Sequence, residues 1–194
     1  MKRTFSLPLL ALAGVLVLPG LASAHIIPGS SHDLQHGFAH PFTGLDHLMA
    51  MLAVGLWAAQ HRGRALWLIP LTFVSVMALG GVLGIAGASL PGVEFGIALS
   101  VLVLGALIAT ATCFKPSWSM LVAGMFALCH GFAHGREMPA STGALSFSLG
   151  FILSTLLLHG MGMSLGLYLQ KQPRMIRLAG GAMALSSLCF FLSL

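Results

Sequence analysis

Six apolar stretches, near 43–60, 65–87, 93–113, 117–136, 143–170 and 174–194, dominate the chain. Each is long enough, or nearly so, to span the ~30 Å hydrocarbon core of a bilayer as a helix. With 57% hydrophobic and only 7% charged residues, the chain lacks the polar surface of a water-soluble domain. Apolar runs of this length satisfy their backbone hydrogen bonds in lipid as helices. The expected fold is therefore all-α, a polytopic bundle of six transmembrane helices. The net charge of +5 is no nucleic-acid signal, because the basic residues stand singly between apolar runs and form no patch.

Residues 1–24 form a separate unit. Lys2 and Arg3 precede an apolar core from Leu7 to Leu18, and Ala22-Ser23-Ala24 supplies a small-residue cleavage site. This is the pattern of a secretory signal peptide, and cleavage after Ala24 would make His25 the first mature residue. Its α-amine and imidazole together can chelate one metal ion. Export by such a signal implies the bacterial inner membrane. The segment 25–42, with Pro28, Gly29, Ser30 and Ser31, reads as a polar periplasmic stretch, extended or turning through Gln35.

Loop charges orient the bundle. Arg62 and Arg64 follow the first stretch, Lys115 follows the third, and Lys171, Arg174 and Arg177 lie between the fifth and sixth. All fall on one side, against Arg136 alone on the other. The positive-inside rule puts the basic side in the cytoplasm and both mature termini in the periplasm.

That topology sorts the polar residues. His32 to Met51, reading HDLQHGFAHPFTGLDHLMAM, concentrates histidine and aspartate where a polar segment enters the first apolar stretch. Ionisable residues at such a boundary are costly and point to function. His36, His40, Asp46 and His47 lie at its outer end, and Glu94 at the outer end of the third stretch. The fourth stretch runs back outward, bringing His130 and His134 to the same depth, with Glu137 just beyond. Spacings of four and seven put His130, His134 and Glu137 on one helical face. Imidazole and carboxylate donors together suit divalent nickel, cobalt, zinc or copper. The metal-site candidates are thus His25, His36, His40, Asp46, His47, Glu94, His130, His134 and Glu137. His159 lies ~24 Å from the outer end of the fifth stretch; it is either an inner way-station or a histidine bonded to a neighbouring helix. Asp33 reads as a cap or a solvated residue, and His32 and His61 as interfacial.

Several features have plainer readings. Gly80, Gly81, Gly84, Gly87, Gly160, Gly162 and Gly166 sit at spacings that let membrane helices approach closely. Met49, Met51, Met125 and Met138 are expected to fill core space, and Cys113, Cys129 and Cys189 to be small buried apolar residues. Cys129, beside His130, is the one to weigh as a ligand. His36-Gly37-Phe38-Ala39-His40 recurs as His130-Gly131-Phe132-Ala133-His134, either a trace of an inverted repeat or a coincidence.

The run His40-Pro41-Phe42-Thr43-Gly44-Leu45-Asp46-His47, followed by Met51, resembles the H-P-x-x-G-x-D-H signature of the HupE/UreJ family of hydrogenase- and urease-associated membrane proteins. The signal segment, His25, six helices, Glu94 and the His130-Gly131…His134-Gly135-x-Glu137 run are similar too. The resemblance implies a nickel permease supplying a nickel enzyme, with the motif histidines and aspartate needed for uptake. Its cargo would be Ni²⁺, with Co²⁺ or Zn²⁺ as alternatives, and it would carry no organic cofactor. Its partners would be the bilayer, the ion and nickel-enzyme maturation proteins. The chain has no Walker motif, which argues against direct ATP drive. Two other classes fit the donor set: an intramembrane metal-dependent hydrolase with Glu137 or Glu94 as base, and a haem-binding electron carrier with His47 and His130 as axial ligands. The expected class is transporter, not enzyme.

Overall fold

The computed structural model describes residues 31–61, 63–138 and 142–192, so the expected signal segment and His25 lie outside the described residues. Within them every regular element is helical. The helices are α1 (Ser31–Ala39), α2 (Leu45–Gln60), α3 (Ala65–Ile85), α4 (Val93–Thr110), α5 (Pro116–Glu137), α6 (Ala144–Tyr168) and α7 (Pro173–Leu192). Short 3₁₀ turns occupy His40–Phe42 and Leu169–Lys171. The six apolar stretches correspond to α2 through α7.

By length and composition α3, α4, α6 and α7 can each cross a membrane. The segment from α1 to the first 3₁₀ turn passes the same test only together with α2, across an 81° bend. α2 has just 16 residues. α5 has 22, ~33 Å at 1.5 Å per residue, but its last turns carry His130, His134, Arg136 and Glu137. The two helices that fall short as plain apolar spans are the two that carry most of the candidate donors.

α2 is the axis of the bundle. Nearly every residue from His47 to Ala59 is buried, the condition of a helix apolar all round and enclosed by protein. It packs on α6 and α4, while α3 pairs with α5 and α4 with α7. Glycine makes these contacts close. A Cβ on Gly55 or Gly162 would press on the facing backbone of α6 or α2, and one on Gly80 or Gly84 on that of α5. The expected packing role does not extend to Gly87, which ends α3 at φ +76°, nor to Gly160, which faces open space.

The structure corrects the reading of the N-terminal segment. Residues 31–39 are helical, neither extended nor turning, and lie on α6. Gly37 sits against the Phe147 carbonyl, and Gly150 against that of Leu34. Asp33 is not solvated: it is only 2% exposed, and its Oδ2 accepts the Gly143 N–H at 3.0 Å. A carboxylate from α1 thus caps the start of α6, where the helix leaves amides unpaired and its dipole favours negative charge. Asp33→Ala should lower the melting temperature, by about 1 kcal/mol of stability for a lost cap, and speed amide exchange over 31–42. Unchanged exchange there would show that α1 is held by something else.

The cysteines also differ from expectation. Cys113 and Cys189 are exposed and Cys129 is half-buried. Of the methionines, Met51 is fully buried but Met125 is 62% exposed, so its side chain fills no core space.

Candidate metal centre

The corner between α1 and α2 is built by the motif itself. Pro41 opens the 3₁₀ turn, where its missing N–H costs nothing. Thr43 closes it by donating both its hydroxyl (2.7 Å) and its N–H (3.0 Å) to the His40 carbonyl. Gly44 then starts α2 in an extended conformation. A Cβ on Gly44 would lie 2.8 Å from Asp46 Oδ1 and 3.0 Å from His47 Nδ1, so glycine leaves room for the carboxylate to fold back. Asp46 Oδ1 accepts both the His47 backbone N–H and its Nδ1–H, each at 2.8 Å.

That carboxylate fixes the His47 tautomer. With Nδ1 protonated toward Asp46, the Nε2 lone pair is the free one. His130 is set the same way by a backbone carbonyl: its Nδ1–H donates to Phe126 O at 2.9 Å. Both Nε2 atoms are buried and have no hydrogen-bond partner, and neither has Nε2 of His134, whose Nδ1 faces Glu137. An imidazole whose Nδ1–H is held by an oxygen while Nε2 stays free is poised as a metal ligand.

The rings form one cluster. His47 lies 4.2 Å from His134 and 5.1 Å from His130, ring centre to ring centre, and His40 lies 4.7 Å from His134. Glu137 Oε2 closes the outer side, 3.2 Å from His40 Nε2 and 3.4 Å from His134 Nδ1. Donor atoms of His40, His134 and Glu137 all fall within 4.8 Å of one another. Burial deepens inward: the side chains of Glu137, His40 and His134 are 49%, 20% and 6% exposed, and His130 is fully buried. The arrangement is a graded set of nitrogen and carboxylate donors, exposed at its rim and buried at its base.

Other candidates fall outside this core. His36 is exposed on α1, its ring 6.2 Å from that of His40, at the rim. Glu94 is exposed at the start of α4, and no hydrogen bond or ion pair joins it to the cluster among the described residues. Cys129 adjoins Gly96 of α4 and is not among the clustered donors. His61 is buried at the far end of α2, with Nδ1 on Trp57 O and Nε2 on Ser119 Oγ, both at 2.9 Å. His32 is exposed.

The cluster also has an aromatic wall that the sequence analysis did not single out. Phe151 lies 4.3 Å from His134, and Phe147 5.5 Å from His40. An apolar cavity of about 350 Å³, lined by Met77, Gly81, His134, Met138 and Phe151 among others, adjoins it between α3, α5 and α6. The signal was present in the i, i+4 spacing of Phe147 and Phe151 on α6, one face of one helix. The haem arrangement needs room for a macrocycle between His47 and His130, whose ring centres lie 5.1 Å apart.

Comparison with known proteins places the chain in a family. The family described as HupE / UreJ protein matches residues 12–190. Protein HupE of Rhizobium leguminosarum bv. viciae is 44% identical over 173 residues, covering 88% of this chain and 90% of that protein. No solved structure matches the chain.

Proposed function

This chain belongs to the HupE/UreJ family, and on that premise we propose that it is a six-span membrane facilitator importing Ni²⁺ for maturation of a nickel enzyme such as a hydrogenase or urease. The observation that carries the reading is the set of buried, unpartnered Nε2 nitrogens on His47, His130 and His134, gathered beside the Asp46 and Glu137 carboxylates. A core histidine ordinarily has its polar atoms bonded, since an orphaned one costs about 1–3 kcal/mol. Three together are explained if a cation is their partner.

The mechanism follows from the gradient of burial. The ion arrives from the periplasm and meets His36, His40 and Glu137 at the exposed rim, with His25 and Glu94 as further outer donors. Water is exchanged stepwise for imidazole nitrogen as it moves to His134, His47 and His130. Asp46 and Glu137 offset its double charge, which has no counterpart in the apolar walls. Nitrogen and carboxylate donors suit Ni²⁺, and Co²⁺ or Zn²⁺ as competitors. Passage requires that no single position hold the ion too firmly, and overlapping donor pairs provide that.

In this topology α2 and α5 cross with the other four, their polar outer ends shielded by α1 and α6. The basic loops then face the cytoplasm, both termini face the periplasm, and the protein resides in the inner membrane. Uptake of radioactive Ni²⁺ by cells without other nickel importers tests the function. Uptake should rise well above background when the gene is supplied; equal uptake with and without it would refute nickel import.

A further inference from the structure

Among the described residues, His159 is the one buried histidine with an unpartnered ring nitrogen that lies outside the cluster. It is 1% exposed. Its Nδ1–H donates to the Met51 carbonyl at 2.8 Å, and its Nε2 is buried without a hydrogen-bond partner. This is the same preparation as at His130: a backbone carbonyl holds one nitrogen and leaves the other as a free donor. His159 lies two helical turns inward of Phe151, the residue that touches His134.

Phe73 stands between the two histidines. Its fully buried ring lies 5.7 Å from His130 and 5.1 Å from His159, meeting the latter at 89°. One turn outward on the same seam of α3 and α6, the buried Thr155 hydroxyl approaches Met77 Sδ at 3.8 Å while bonding Phe151 O at 2.9 Å. Thr155 and His159 share a face of α6, as Phe73 and Met77 share one of α3. A thioether sulfur, a hydroxyl oxygen and a nitrogen therefore follow one another along this seam, from beside the outer cluster inward.

We propose that His159 Nε2 forms a second, inner position for the transported divalent ion, reached from the outer cluster past the Met77 thioether and the Thr155 hydroxyl, with the Phe73 ring between it and His130. The proposal rests on the transport reading and adds to it a way-station for the ion. All three groups are neutral, so the inner position binds more weakly than the outer one with its carboxylates. A weaker second site is what lets an ion leave the first.

Two substitutions separate a ligand from a structural histidine. His159→Gln keeps an N–H for the Met51 carbonyl but is a poor ligand for nickel. His159→Cys supplies a thiolate ligand but no such donor. Purified protein in lipid nanodiscs is dialysed against graded Ni²⁺ alone and its bound metal counted. Wild type should saturate at about two ions per chain, His159→Gln at about one, and His159→Cys again at about two. Nickel uptake by cells should follow the same order, with His159→Gln lowest. Normal occupancy and uptake in His159→Gln, with His159→Cys the damaged variant, would overturn the inner position in favour of a structural hydrogen bond. Saturation of wild type at one ion, abolished by Asp46→Asn, would overturn the inner position while leaving the transport reading intact. Wild-type protein that binds and transports no nickel would overturn both.

Discussion

Asp46→Asn should abolish most nickel uptake while the helices stay folded. The substitution isolates charge from shape. Asparagine Oδ1 can still accept the two bonds that Asp46 Oδ1 takes from the His47 N–H and Nδ1–H, so the imidazole keeps its orientation. What disappears is a negative charge on a side chain that is 26% exposed, next to the imidazole proposed to meet the ion. A unit-charge pair at 4 Å is worth about 4 kcal/mol at the effective dielectric of a partly buried site, and a divalent ion doubles the stake. Loss of an outer-shell carboxylate on a ligating histidine commonly weakens metal affinity by about 10–100-fold, and the deficit in uptake should be at least at the low end of that range. His47→Ala, which removes the proposed ligand itself, should be no milder. Initial rates of nickel uptake, with expression level and thermal melting as controls, decide the matter. Rates equal to wild type in both variants would remove Asp46 and His47 from the site.

The motif was legible in the sequence because its parts are local. His40, Pro41, Thr43, Gly44, Asp46 and His47 build one corner through bonds that span at most three residues, so spacing alone carried the chemistry. The approach of His130 and His134 needed only helical periodicity and a consistent direction of crossing. The N-terminal helix was not legible, since Pro28, Gly29 and the serines there are turn signals in isolation. What makes residues 31–39 helical is tertiary: the Asp33 cap on a residue 110 positions away and the contact of Gly37 with Phe147. Glu94 shows what depth alone leaves open: it places the residue near the outer end of the bundle but does not fix its direction, and the side chain is exposed at the start of α4, with no bond to the clustered histidines among the described residues. His61 was placed at an interface by hydropathy, whereas its two hydrogen bonds bury it between α2 and α5. Composition cannot report such pairings, because each partner comes from a different stretch.

Gly131→Ala should cost this protein more stability than its size suggests, and should cost it metal binding as well. In most helices that substitution is favourable by up to ~1 kcal/mol. Here an added Cβ would overlap the carbonyl oxygen of Met77, a backbone atom of α3 that cannot turn aside. α3 and α5 would have to separate, and overpacking of this kind costs about 1–3 kcal/mol. Gly160→Ala is the matched control, because nothing lies within 4 Å of that position; it should melt at or slightly above wild type. The comparison also gives the repeated pentapeptide a physical reason. In each copy the glycine after the first histidine abuts a carbonyl of a neighbouring helix, Gly37 that of Phe147 and Gly131 that of Met77. The same five residues therefore supply two imidazoles one turn apart and the close approach that seats their helix against its neighbour. Moving α5 outward by even an ångström would carry His130 and His134 away from His47 and His40. Gly131→Ala should thus lower both the melting temperature and nickel affinity, and Gly160→Ala neither. Equal melting of the two variants would mean that α3 and α5 do not meet at this glycine, and the cluster geometry that depends on it would fall too.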